Sequence, residues 1–240
     1  MTGPLSHPIV FAGPSLAAPL PSAFTLRPPA AAGDLLALAA GPPRTVVLID
    51  GVFDGQAAVQ HKEILELLSR GFRVIGGASM GALRAAELHD FGMQGVGAVF
   101  AAYASGRITA DDEVAVLHAP AALGHRALTE ALVDIRATLA AAAMARIVPV
   151  ALARALRDQA SATFWREREW PALLDAARLL DRAAARRLGQ WLPAGRVGLK
   201  AHDAGLCLAA ALRPVPVTPC PAPPRTRYFN RLAAMVDIAL

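Results

Sequence analysis

Gly77-Ala78-Ser79-Met80-Gly81 sets a serine between two glycines in a G-x-S-x-G pattern. The chemistry open to such a pattern is nucleophilic. A serine is lifted on a tight strand-to-helix turn, and a backbone N–H behind it receives an oxyanion. The flanking sequence has the required form: "FRVIGG" (72–77) reads as a strand and "MGALRAAEL" (80–88) as a helix. Gly77 and Gly81 would let neighbouring backbone pass close behind Ser79, and the Met80 N–H at the helix start would be the oxyanion donor. The same small residues also suit a turn kept only for packing, and the pattern alone does not separate the two.

A serine nucleophile needs a base. None of the six histidines (His7, His61, His89, His118, His125, His202) has a local setting that makes it the partner of Ser79. The chain has only two lysines. Lys62 lies in the first turns of the helix after "VVLIDG", so it shares with Ser79 the carboxyl edge of a parallel sheet, where open α/β folds place their sites. A helix N-terminus and partial burial both disfavour the protonated amine. Lys62 is therefore the first candidate base, and Lys200, at the helix start in "VGLKAHDA", is the second. Asp50, Glu63 and Arg84 are expected to line the same edge. Arg84 and Glu87 are also spaced to pair with each other along one helix. Asp111, Asp112 and Glu113 form a carboxylate run with no histidine at a ligand spacing, so it reads as helix capping and no metal is expected. Cys207 and Cys220 have no metal-ligand spacing either, and read as buried or incidental thiols.

The elements that must hold these residues follow from periodicity and punctuation. Segment 8–13, "PIVFAG", is a short apolar strand ended by Gly13-Pro14; 24–29 is an edge-like strand demoted by its prolines. A short helix starts near Asp34 and closes at Gly41. The unbroken apolar run 44–51 has the character of a buried parallel strand. Residues 57–71 form a helix with Ile64, Leu67 and Leu68 on one face, and 72–77 is the next strand. Strand-helix-strand at this length is a βαβ unit. The fold class expected is α/β, with a parallel-sheet core in the N-terminal half followed by a mainly helical C-terminal part. The domain reading is an α/β core over 8–118, a helical part over 119–213, and a proline-rich linker with an amphipathic tail over 214–240.

Composition narrows the function classes. Hydrophobic content is 55% and aromatic content 5%, so packing must rest on Leu, Val, Ile and Ala. Mean hydropathy is +0.39, yet prolines and arginines interrupt every apolar run before the ~18 residues of a membrane span. No basic segment precedes the first apolar stretch, and a cytoplasmic protein is expected. The net charge of +5 rests almost wholly on arginine, dispersed rather than gathered in a run. It suits an acidic protein partner as well as nucleic acid, and no nucleic-acid motif accompanies it.

Residues 46–118, with "IDGVF", "HKEIL", "GASMGALRAAEL", "GMQGVG" and "DDEVAV", resemble the core of the TfuA-like family, and the likeness extends over roughly 8–140. The resemblance implies a partner of YcaO-type enzymes, which use ATP to activate peptide backbone amides. It further implies release of sulfide from a ThiS-like sulfur carrier ending in a thiocarboxylate, in peptide backbone thioamidation. The peptide substrate would be met through the YcaO enzyme. A Ser–Lys pair is implied with Ser79 as the matching serine; no cofactor, nucleic acid or membrane is implied. An irregular strand order is also implied. Two other functions use the same residues: a non-catalytic adaptor that recruits peptide or carrier to the YcaO enzyme, and a small-molecule serine hydrolase.

Overall fold

The computed structural model describes residues 7–217 and 220–240. By their contacts these divide into two compact units, one running through Ile108 and resuming at Ala201–Leu240, the other Thr109–Lys200.

The first unit is built on one parallel sheet of β1 (Ile9–Phe11), β2 (Thr25–Arg27), β3 (Thr45–Leu48), β4 (Arg73–Gly77) and β5 (Gln94–Val96). The strand order is β2-β1-β3-β4-β5. This is a regular doubly wound order, with the winding direction reversing between β1 and β3. It replaces the irregular order implied by the family resemblance. β1 and β4 are buried along their whole length and β3 at all but its first residue, as apolar parallel strands covered on both faces must be. β2 is exposed throughout and takes the edge, where the prolines that follow it disrupt no ladder. Register aligns Val10 with Val47 and Val47 with Ile75, so these three share a face.

That face is closed by α8 (Leu199–Ala211), whose Ala204, Cys207 and Ala211 join Val10, Val47, Ile49 and Ile75 in one buried cluster. Each fully buried Val or Ile there contributes roughly 1.5–3 kcal/mol. Also packed against the strands are α1 (His61–Ser69) and α2 (Met80–Leu88), with α3 (Ala98–Ala104) beside α2. The α1 helix buries Ile64, Leu67 and Leu68 as its periodicity requires, but it starts later than expected. Gln60 and Glu63 form a capping box there, and Ala58 bridges to Ala31 in extended conformation. The helix expected from Asp34 is a 3-10 turn, Leu36–Ala40. At the chain's end α9 (Arg227–Met235) buries Phe229, Leu232 and Ala233, and Arg225 just before it pairs with Glu66 of α1 at 2.7 Å.

The second unit is a helical layer of α4 (Leu132–Met144), α5 (Val150–Ala162), α6 (Trp170–Leu180) and α7 (Arg182–Gly195). Leu139, Leu152, Leu156, Leu173 and Leu188 lie in one buried cluster there. Trp170-Pro171 opens α6 with proline in the first turn, as read from the sequence.

Candidate active site

The sharpest feature at the carboxyl edge of the sheet is the turn between β4 and α2. Ala78 there is held at φ +64°, a left-handed conformation that a residue with a Cβ adopts only under constraint. The constraint is close packing of backbone. A Cβ on Gly81 would lie 1.8 Å from the Leu48 carbonyl oxygen, and the Gly81 N–H donates to the Ile49 carbonyl at 3.1 Å. A Cβ on Gly77 would meet Cys207 Sγ at 2.4 Å and the Val96 carbonyl at 2.5 Å. The two glycines of the G-x-S-x-G pattern thus let β3, β5 and α8 close around the turn, which fixes where Ser79 sits.

Ser79 is the N-cap residue of α2 and is buried, and its carbonyl accepts from the Ala82 N–H at 2.9 Å. A serine in this position ordinarily turns its hydroxyl back to cap the helix. Here the Ser79 hydroxyl makes no capping bond. Met80 follows as the first helical residue, so its N–H has no acceptor within the helix and lies at the positive end of the dipole. A serine at the end of a parallel strand and an N–H at a helix start are the parts an acyl-transfer site needs.

The remaining predicted residues have partners of their own. The Asp50 carboxylate accepts from Gly13 N (2.8 Å), Ser15 N (3.0 Å) and Ser15 Oγ (2.6 Å). It ties the loop after β1 to the end of β3, where the strand order reverses. Glu63 accepts from the N–H groups of Gly33, Leu36 and Gln60. Burial pushes its carboxyl up to about 7, against the pull of those three donors. Arg84 donates to the Val59 carbonyl and pairs with Glu87 at 2.7 Å, the pairing its spacing suggested. His61 also pairs with Glu87, at 2.9 Å. Burial would raise the Glu87 carboxyl, but His61 and Arg84 outweigh it and hold it below the usual range.

Lys62 is half-buried, and its ammonium donates to the Pro224 carbonyl (2.8 Å) and the Thr226 hydroxyl (3.1 Å). These contacts commit it to the C-terminal tail. Its neighbour His61 meets α2 at Glu87, eight residues beyond Ser79, about 12 Å along the helix. Lys200, in the second unit, is buried, and its Nζ donates to the Val114 carbonyl at 2.7 Å. The acidic run is not a helix cap. Asp112 pairs with the buried Arg168 (2.6 Å) and Glu113 with Arg136 (2.9 Å). Among the described residues no group of three or more His, Cys, Asp or Glu is arranged to hold a metal.

One residue at this edge was not singled out from the sequence. Asp203 of α8 is fully buried and accepts from the Val99 N–H at 2.7 Å, capping α3 from 104 residues away. Its Oδ1 is buried with no hydrogen-bond partner among the described residues. The signal in the sequence was the one carboxylate of α8, four residues before Cys207. Burial, and then the Asp203 charge, pushes the Cys207 thiol up to about 12, so that thiol is inert packing beneath the elbow rather than a nucleophile.

No curated protein matches the chain. The family model described as TfuA-like protein matches residues 50–169, half of the 240 residues, a span that holds Asp50, Lys62, the Ser79 elbow and the acidic run. The motifs, the parallel sheet with its serine turn and this match agree: the chain belongs to the TfuA-like family.

Proposed function

We propose that this protein hydrolyses the thiocarboxylated C-terminus of a ThiS-like sulfur carrier and so releases sulfide for a YcaO-type enzyme that thioamidates a peptide backbone. The observation that carries the reading is the Ser79 hydroxyl: it stands at an N-cap yet does not cap, on a turn strained at Ala78. A serine kept only for the turn would be expected to bond to its own helix.

In this reaction Ser79 Oγ attacks the thiocarboxylate carbon as its proton passes to a neutral lysine. The oxyanion forms against the Met80 N–H and the start of α2, where the dipole favours negative charge. The C–S bond breaks as the lysine passes that proton to sulfur, so hydrosulfide leaves and an acyl ester remains on Ser79. Water then hydrolyses the ester, leaving the carrier with an ordinary carboxylate. The base in this reading is one of the chain's two lysines, Lys62 or Lys200. The arginine-rich composition suits an acidic carrier, so association weakens as salt rises.

The test is sulfide release from a purified thiocarboxylated carrier, with the sulfur-for-oxygen exchange followed by mass spectrometry. Ser79→Ala abolishes release in folded protein, and of Lys62→Met and Lys200→Met the one that also abolishes it identifies the base. Undiminished release by Ser79→Ala removes the serine from the mechanism. Retained binding of the YcaO enzyme with no turnover by the unaltered protein leaves an adaptor instead.

A further inference from the structure

The amino ends of β1, β3 and β4 open on a cavity of about 700 Å³, bordered by Pro8, Thr45 and Arg73. This is the sheet edge opposite Ser79, with roughly 13 Å of β4 between Arg73 and Gly77. The size is that of a small-molecule site. Four basic side chains line it, His7, Arg44, Arg73 and Arg213, and its described lining includes no carboxylate. The rest of the wall is largely apolar, with Pro43, Ala211, Leu212, Val215 and Val217 prominent.

Arg73 is the unusual member. It is only 9% exposed, and its partners among the described residues are all neutral. Nε and one terminal nitrogen donate to Gln94 Oε1 (3.2 and 2.7 Å), and the other terminal nitrogen donates to the Arg213 carbonyl (2.7 Å). A guanidinium has five N–H donors, so two remain after these three bonds. A buried guanidinium stays charged, and holding that charge without a counter-ion is costly. Burial accordingly pulls the Arg73 side chain below its ordinary value. Gln94, on the neighbouring strand, fixes the fork in place rather than neutralising it.

We propose that this cavity binds a small anionic amphiphile, a carboxylate or phosphate group carried on an apolar body, with Arg73 as the buried anchor and the more exposed Arg44 and Arg213 completing the anion's surroundings. The uncompensated charge selects the anion, and the Leu, Val, Pro and Ala wall takes the apolar part. The site is separate from the Ser79 elbow and does not depend on the reaction assigned there.

Calorimetric titration of the full chain with octanoate, octyl phosphate, octylammonium and inorganic phosphate tests this. Octanoate or octyl phosphate binds at micromolar concentration, whichever binds tighter identifying the head group, while octylammonium does not bind. Arg73→Gln weakens the anion by on the order of ten- to hundredfold, the loss expected for charged hydrogen bonds. The double variant Arg44→Gln with Arg213→Gln, altered only at more exposed positions, also weakens it and covers the case in which the buried change unfolds the sheet edge. Absence of binding by both amphiphilic anions overturns the proposal. So does equal binding of octylammonium, or of inorganic phosphate alone, or unchanged affinity in the double variant.

Discussion

Raising the pH from 5 to 8 should cost this protein roughly 2–3 kcal/mol of stability through one side chain, Glu63. Its carboxyl is fully buried at the start of α1, and burial lifts it from an ordinary 4.5 to about 7. Below pH 4.5 the group is neutral folded and unfolded, and folding incurs no charge penalty. Between 4.5 and 7 the folded state holds a proton that the unfolded chain has lost, so stability falls as pH rises. Above 7 the carboxylate is charged in both states and the whole penalty, about 3 kcal/mol, is in force. Urea unfolding at a series of pH values measures the fall, and Glu63→Gln isolates it from other groups. The variant is less stable overall, because an amide cannot accept from Gly33, Leu36 and Gln60 with both of its ends. Its pH slope is the readout: it flattens by most of those roughly 2–3 kcal/mol. Parallel slopes in the two proteins would mean that the three N–H donors keep Glu63 charged throughout, which refutes the reasoning.

Three further outcomes follow from named contacts. Gly81→Ala drives a Cβ into the Leu48 carbonyl and costs at least about 3 kcal/mol in thermal or urea unfolding, with loss of any Ser79-dependent activity; a neutral substitution would mean α2 does not sit on β3 as described. Arg168→Met leaves Asp112 without its charged partner and removes the guanidinium donor from the Ala160, Thr163 and Asp112 carbonyls, so it destabilises by about 3 kcal/mol or more, read by urea unfolding. Thiol reagents at pH 8 modify Cys220 in the folded protein and reach Cys207 only after unfolding, as peptide mapping by mass spectrometry would show, because Cys207 is fully buried and Cys220 only partly.

Local pattern carried the sheet and the elbow. Ile9–Phe11, Thr45–Leu48 and the Val74-Ile75 centre of Arg73–Gly77 announce themselves by apolar, β-branched residues in runs too short for a helix. The G-x-S-x-G turn is legible because only glycine fits where backbone passes that close, a demand written at single positions. β5 left no such trace. Its three residues, Gln94–Val96, are only half-buried and include a glycine, and they join the sheet through backbone bonds that any sequence can make. The partners of side chains were the larger loss. Lys62 looked like a residue of the sheet edge until a tail 162 residues further on took its ammonium. Asp203 carries no local mark of its role, which is to cap α3 across 104 residues. Hydrophobic periodicity specifies which face of an element is covered, but not by which distant segment. That choice is made by packing and by the need of buried donors and acceptors for partners, so only the tertiary structure decided it.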